Sequence, residues 1–332
     1  MLKEKSYDLF SLSTAGLFFM QLVLLCTSCE REQLEILIPA EVVHEEALDT
    51  CFFEYYMPLV SVAAEAQGSA CFGDYFVQGY NFNNCLSIYN LREKKYLETI
   101  PIPAPAPSVL THVNTVNFGS QRLCENDYFP LLYISSGYPT NGISFVYVYR
   151  ILREVQGDKE EFSISLVQTI SLLDFGKWTE GIVDGQTNSI WVKYEPIDKY
   201  GYAMYNLPLV SEGDSMIYYD GFIENFQLDR TLLGSRNQGH MYKDGKIILV
   251  SGIPSIQERL AFISIDVKKG EVDYIIDLAE LGLINPDNPL DNSFEPEGVI
   301  VFDGSLMICY RKALYKFNVG NIYDNSNSIV DM

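Results

Sequence analysis

Basic charge is scarce in this chain: 23 Lys and Arg face 44 Asp and Glu, a formal charge of −21. A surface of that sign repels phosphate backbones, and no basic run offsets it, so nucleic acid is excluded as a partner. Histidine is rarer still. The three copies stand far apart at positions 44, 112 and 240, and none forms a His-x-His or His-Glu-x-x-His pair that would seed a metal site. A Ser-centred nucleophile elbow and a phosphate-cradling glycine loop are also missing. No metal and no cofactor is therefore expected. Long stretches of helical periodicity are absent; the helix candidates are Ala40–Ala47 and Asp277–Leu283. The cysteines do not make a framework. Setting aside Cys26 and Cys29, the remaining Cys51, Cys71, Cys85, Cys124 and Cys309 are odd in number and widely spaced, without a CxxC pair for zinc. Buried small hydrophobes with at most one or two bridges are expected.

What is present begins with an export signal. A charged start (Lys3, Glu4, Lys5, Asp8) precedes an apolar run, Ala15 to Cys26, broken only by Gln21. Those 12 residues suit a signal h-region and fall short of the ~20 that span a bilayer. Cys26-Thr27-Ser28-Cys29 follows and resembles a lipobox, in which the Cys29 thiol takes a diacylglycerol before cleavage. Cys26 stands where such motifs usually carry Leu, while a cut before Cys26 would place bulky Leu25 at the −1 position. Lipidation at Cys29 is the expectation, ahead of plain secretion and of an uncleaved anchor. The four charges of residues 1–28 cancel, so the mature chain keeps the full −21.

From about residue 60 the pattern is that of strands, with short runs of Val, Ile, Tyr and Phe set between turn residues. A Gln/Glu-Gly dipeptide recurs at Gln67-Gly68, Glu180-Gly181, Gln238-Gly239 and Glu297-Gly298. After three of them comes a strand, then a tight turn at Gly73-Asp74, Asp244-Gly245 or Asp303-Gly304, then a returning strand, the strongest short hairpin signal. In the remaining copy the turn stretches over Asp184 to Asn188. Third strands repeat as Ser87–Leu91, Ala203–Leu207 and Ser264–Val267, and fourth strands as Tyr96–Ile102, Ser165–Ser171 and Val272–Leu278. Four strands per repeat is the signature of a β-propeller blade. The dipeptides are 58 and 59 residues apart, and the 113 between Gln67 and Glu180 leaves room for one more blade, opened by His112–Gly119. Its strands continue in Leu131–Ser135 and Phe145–Ile151. An all-β propeller of five readable blades follows. The last blade lacks a fourth strand, which Glu35–Pro39 or Cys51–Val62 would supply to close the ring. The expected organisation is a signal over residues 1–28, a tether over 29–50 starting at lipidated Cys29, a propeller over 51–320 and a tail over 321–332.

Gln67-Gly68 with Gly73-Asp74-Tyr75-Phe76, His112-Val113-Asn114 with Asn117-Phe118-Gly119, Phe129 to Tyr133, Leu166 to Ile170, and Phe294 to Gly298 resemble the TolB-like propeller lipoproteins of Bacteroides and relatives. The resemblance covers nearly the whole mature chain. It implies a cell-envelope location, anchored in the lipid membrane through Cys29 at the outer membrane, on its periplasmic or surface face, and six blades; it implies no reaction.

Ligands of a propeller sit at a mouth of the central channel, so side chains at the inner-strand dipeptides are the site candidates. These are Gln67, His112, Asn114, Glu180, Gln238, His240 and Glu297. Glu295 adds a carboxylate two positions from Glu297, Trp178 offers a ring for stacking on a sugar, and Arg311 a guanidinium for a carboxylate or phosphate. Tyr138 and Tyr194 are placed on the same rim. Against each stands a structural reading: a residue repeated in every blade serves the architecture of the blade, with Gln and Glu bonded to backbone of the neighbouring blade. The leading functional expectation is a non-catalytic, envelope-anchored binding propeller for a glycan, peptide or protein partner. The alternative is a carbohydrate-active hydrolase or lyase with inner-strand carboxylates about 5–10 Å apart. A structural part of an envelope complex is the third.

Overall fold

The computed structural model describes residues 52–318 except 61, 63, 64, 82, 104–112, 137, 138, 177, 235 and 286. Strand β1 (Phe52–Pro58) comes first in the chain but belongs to the last sheet. Blade 1 is β2 (Ala66–Phe72), β3 (Tyr75–Tyr80), β4 (Cys85–Asn90) and β5 (Lys95–Pro101), in that order. Blade 2 is β6 (Val113–Phe118), β7 (Leu132–Ser136), β8 (Ser144–Gln156) and β9 (Lys159–Leu173). Blade 3 is β10 (Glu180–Val183), β11 (Ser189–Tyr194), β12 (Lys199–Asn206) and β14 (Glu224–Asp229). Between its last two strands, β13 (Ser215–Tyr218) leaves the blade and pairs in parallel with β9 as a fifth strand of blade 2. Blade 4 is β15 (Asn237–Lys243), β16 (Lys246–Ser251), β17 (Ala261–Asp266) and β18 (Glu271–Asp277). Blade 5 is β19 (Pro296–Phe302), β20 (Ser305–Tyr310) and β21 (Ala313–Asn318), completed by β1. The chain is a five-bladed β-propeller.

The alternation of side chains along each strand explains why blades stack. On β16, Ile247 and Leu249 join the apolar cluster shared with blade 3, while Ile248 and Val250 join the one shared with blade 5. A middle strand of a blade is therefore apolar on both faces, and its sequence reads as an unbroken run. Each such side chain contributes about 1.5–3 kcal/mol on burial. Five clusters of this kind lie between successive blades, the last joining blade 5 to blade 1. β1 then pairs Phe52 with Asn318 and Pro58 with Ala313, covering the edge that β21 would otherwise expose. With this segment spent as a closing strand, it is not free to build a sixth blade, and the count stays at five. Asp277–Leu283, a helix candidate from periodicity, is a hydrogen-bonded turn in which the Leu283 amide donates to the Leu278 carbonyl. The one α-helix among the described residues is the four-residue α1 (Arg230–Leu233), and no described helix is long and apolar enough to cross a membrane.

In blades 1, 4 and 5 the recurring dipeptide marks a β-bulge; Glu180-Gly181 of blade 3 pairs in regular register. In blades 1, 2, 4 and 5 the inner strand carries one residue more than its partner there, between Ala66 and Ser69, Val113 and Thr115, Gln238 and His240, and Pro296 and Gly298. The glycine allows inner strands to meet. A Cβ on Gly68 would lie 2.3 Å from the Asn114 carbonyl oxygen, and one on Gly239 2.6 Å from that of Glu297. Backbone at that position cannot yield as a side chain would. Gly68→Ala is expected to cost about 1–3 kcal/mol, read as a lowered thermal midpoint with the far-ultraviolet spectrum retained. The hairpin turns at Asp244-Gly245 and Asp303-Gly304 take positive φ at both positions (50° and 77°, 49° and 70°), as the type I′ form requires. At Gly73-Asp74 only Gly73 is positive (57°), the pattern of a type II′ turn.

Candidate functional site

The dipeptide side chains of the inner strands gather into two buried networks. The first joins blades 2, 3 and 4. Glu180 accepts from Asn114 Nδ2 at 3.0 Å and from Thr115 Oγ1 at 2.7 Å. Its cross-strand partner on β11 is Lys193, whose Nζ lies 3.4 Å from Glu180 Oε1 and 3.4 Å from Glu195 Oε1. His240 Nδ1 approaches Glu180 Oε2 at 3.3 Å, and its Nε2 meets no hydrogen-bond partner among the described residues. Glu180 is 1% exposed, Lys193 2% and His240 1%. At that depth charge survives only when paired. Burial pushes the Glu180 carboxyl up, but Lys193 and His240 together outweigh it and hold Glu180 below the usual carboxylate range. Burial lowers the Lys193 ammonium, and Glu180 with Glu195 more than restores it. The His240 imidazole is pushed down by burial against the pull of Glu180, so it is the neutral member.

The second network joins blades 1, 4 and 5. Arg311 directs Nε to Glu297 Oε1 at 2.9 Å and Nη1 to Glu65 Oε1 at 3.1 Å, while its Nη2 ion-pairs with Glu295. Gln67 Nε2 donates to Glu297 Oε2 at 3.1 Å, and Gln238 Nε2 to Glu295 Oε1 at 2.9 Å. One guanidinium thus serves two buried carboxyls and an exposed third. Burial drives Glu295 up to about 7 against Arg311. Burial and the charge of Glu295 raise Glu297 well above the ordinary range. The buried pair holds a proton that ordinary carboxylates would have released.

The structure therefore brings Asn114, Glu180 and His240 together, and separately Gln67, Gln238, Glu295, Glu297 and Arg311. Their partners across blades are side chains, where sequence reasoning expected backbone. Trp178 is half-buried in the loop before β10 with φ at +57°. Tyr194, expected on the rim, is buried against Phe175 and Tyr219, and Trp191 packs on Phe226. His112, Tyr138 and Cys29 lie outside the described residues. Of the cysteines that are described, Cys71, Cys85, Cys124 and Cys309 are all free, and Cys85 and Cys309 are buried. No group of three or more His, Cys, Asp or Glu suited to a metal occurs among the described residues.

At the other end of the inner strands, beside the hairpin turns, the axis opens into a cavity of about 280 Å³. Asn117, Gln186 and Lys243 meet Val116, Met241 and Tyr242 in its wall. Asn117 is already engaged, donating to the His240 carbonyl and accepting from the Val183 amide. The inner strands pair along one edge only, so their other edges offer backbone N–H and C=O groups to the axis. Sequence reasoning missed this lining, although the Asp-Gly turns mark which end of the ring it occupies.

No protein-family model and no curated protein sequence matches the chain. Solved structures do. Glutaminyl cyclase of Myxococcus xanthus is similar at 13% identity over 81% of this chain and 96% of that one, with a TM-score of 0.45. PQQ-bound aldose sugar dehydrogenase from Streptomyces coelicolor is similar at 9% identity, over 81% and 98%, with a TM-score of 0.46. The WD40 β-propeller domain of Doa1 is similar at 9% identity, over 80% and 96%, with a TM-score of 0.36. The propeller assignment rests on the five blades of the chain itself, and the activities in those names belong to those proteins.

Proposed function

We propose that this chain is an envelope-anchored, non-catalytic binding propeller of the TolB-like lipoprotein kind, held by lipid at Cys29 and taking its ligand at the hairpin-side cavity. One observation carries the reading. The inner-strand carboxylates that a hydrolase would use are buried and already committed to partners in neighbouring blades. An acid or base tied in this way does not reach a glycosidic bond.

The cavity supports a ligand of modest size, near the lower end of the ~300–1,000 Å³ typical of small-molecule sites. Its wall, in which Val116, Met241 and Tyr242 stand beside Asn117, Gln186 and Lys243, suits a sugar ring, which presents an apolar face and a rim of hydroxyls. A net charge of −21 disfavours acidic polymers, so the proposed ligand is the end of a neutral glycan.

The test uses the lipidated protein and a panel of neutral and acidic polysaccharides in native affinity gels. Retardation by a neutral glycan, lost in Met241→Trp, which fills the cavity, and without release of reducing ends, is expected. Release of reducing ends that disappears in Glu297→Gln would establish the hydrolase instead. Incorporation of labelled palmitate, lost in Cys29→Ser, reads out the anchor.

A further inference from the structure

Residues 207–223 interrupt blade 3 and lay β13 along the outside of blade 2. The excursion is firmly held. Gln168 Nε2 donates to the carbonyls of Leu209 (3.1 Å) and Gly213 (2.6 Å), and Asp214 accepts from the Thr169 amide at 2.8 Å. Gln121 clasps the Pro208 carbonyl and the Val210 amide. Ile217 is buried, and Tyr219 stands edge-on to Phe175 and Tyr194.

Its outer side is unlike the rest of the surface. Of the 14 large hydrophobic side chains exposed among the described residues, five fall here: Leu209, Met216, Tyr218, Phe222 and Ile223. Met216 (60% exposed) and Tyr218 (49%) sit two apart on β13, so they share one face while Ile217 turns inward. β13 ends its sheet, and its one strand partner among the described residues is β9. No Lys or Arg occurs between Lys199 and Arg230, whereas Glu212, Asp214, Asp220 and Glu224 lie in or beside the excursion. Outer strands of soluble propellers are normally guarded by charge on the strand itself, especially Lys; Ser215-Met216-Ile217-Tyr218 has none.

We propose that the open edge of β13 is a docking edge for an extended segment of another protein in which apolar and basic residues alternate. The incoming strand pairs its backbone with β13, rests its apolar side chains on Met216 and Tyr218, and sets its basic ones among the four acids. This surface is on the outside of blade 2, remote in kind from the axial cavity, and stands whether or not the cavity takes a glycan.

The test titrates the intact protein with a labelled peptide of alternating Lys and Val, its Glu-Val counterpart, and a Lys-Val peptide N-methylated at every second residue. Expected are binding of the Lys-Val peptide alone, weakening with added salt, and slowed hydrogen exchange over residues 215–218. Met216→Lys/Tyr218→Lys changes two exposed side chains and is expected to fold normally while losing roughly tenfold in affinity. Equal binding of the N-methylated peptide, or unchanged affinity in the double variant, overturns the proposal. So does slowed exchange that grows with protein concentration in the absence of peptide, which would assign the edge to a second copy of the chain.

Discussion

Lys193→Met is expected to destabilise the propeller by about 3–5 kcal/mol at neutral pH, the cost of stranding one partner of a buried ion pair. The ammonium it removes is 2% exposed and faces Glu180 across the β10–β11 hairpin. Methionine matches the stem in length, so the change in packing is small and the change in charge is the whole of the perturbation. Left without Lys193, the Glu180 carboxylate keeps the dipoles of Asn114 and Thr115 and a neutral imidazole, which do not balance a full charge. Glu180 then takes up a proton, and the loss shrinks as the pH is lowered toward the ordinary carboxylate range. Adding Glu180→Gln removes the stranded charge itself, and the double variant is expected to recover most of the loss. A urea double-mutant cycle at pH 7 measures this coupling. A single-variant cost below about 1 kcal/mol would mean that the pair is hydrated rather than buried.

Much of the fold was legible because a propeller repeats. Ile247 to Val250 reads as an apolar run for the reason that both its faces meet a neighbouring blade, and the Asp-Gly turns fix the hairpin on either side. The 58- and 59-residue spacings count the blades, and the missing fourth strand of the last one calls for a segment from before the first, which β1 supplies. The excursion of residues 207–223 was not legible. Met216-Ile217-Tyr218 carries a strand pattern, but its partner Ser171-Leu172-Leu173 lies far back in the chain and is joined in parallel, and no local turn marks such a pairing. In consequence the fourth strand of blade 3, Glu224–Asp229, stood too far from the third to be recognised.

At the axis, the repeat identified which side chains converge, and it failed to say that they face one another rather than solvent. The clue was Lys193. A lysine inside Ile190-Trp191-Val192-Lys193-Tyr194 sits in a strand whose neighbours are all buried, and folding the hairpin about Gln186-Thr187 sets it opposite Glu180. A basic residue at that place implies a carboxylate already neutralised. The cavity at the far end had no comparable signal, since it is walled by ordinary strand residues such as Val116 and Met241.

The second network sets the direction in which stability follows pH. Glu295 and Glu297 have folded-state affinities for protons above those of the unfolded chain, so their contribution is complete below the ordinary carboxylate pKa and is lost as the pH rises, that of Glu295 as it climbs through about 7. Glu180 acts in the opposite sense, contributing above the ordinary carboxylate pKa and losing that contribution as the pH falls below it. The two together place maximal stability on the acid side of neutrality, near the ordinary carboxylate pKa of about 4.5. From there to pH 8 the propeller is expected to lose about 3 kcal/mol, as a rise in Glu295 from 4.5 to about 7 implies at 1.36 kcal/mol per unit. The groups facing the pair are Arg311, which favours ionisation, Glu65, which opposes it, the amides of Gln67 and Gln238, and more distantly Arg236. Glu297→Gln keeps the amide-sized, neutral side chain that the protonated acid provides and removes the repulsion on Glu295. This variant is expected to match the wild type at pH 5, to exceed it in stability at pH 8, and to show a shallower slope between them in urea titrations. A wild-type stability that rises from pH 5 to pH 8 would mean that Arg311 holds both carboxyls ionised, and that blades 5 and 1 meet through a full salt bridge instead of a protonated carboxyl.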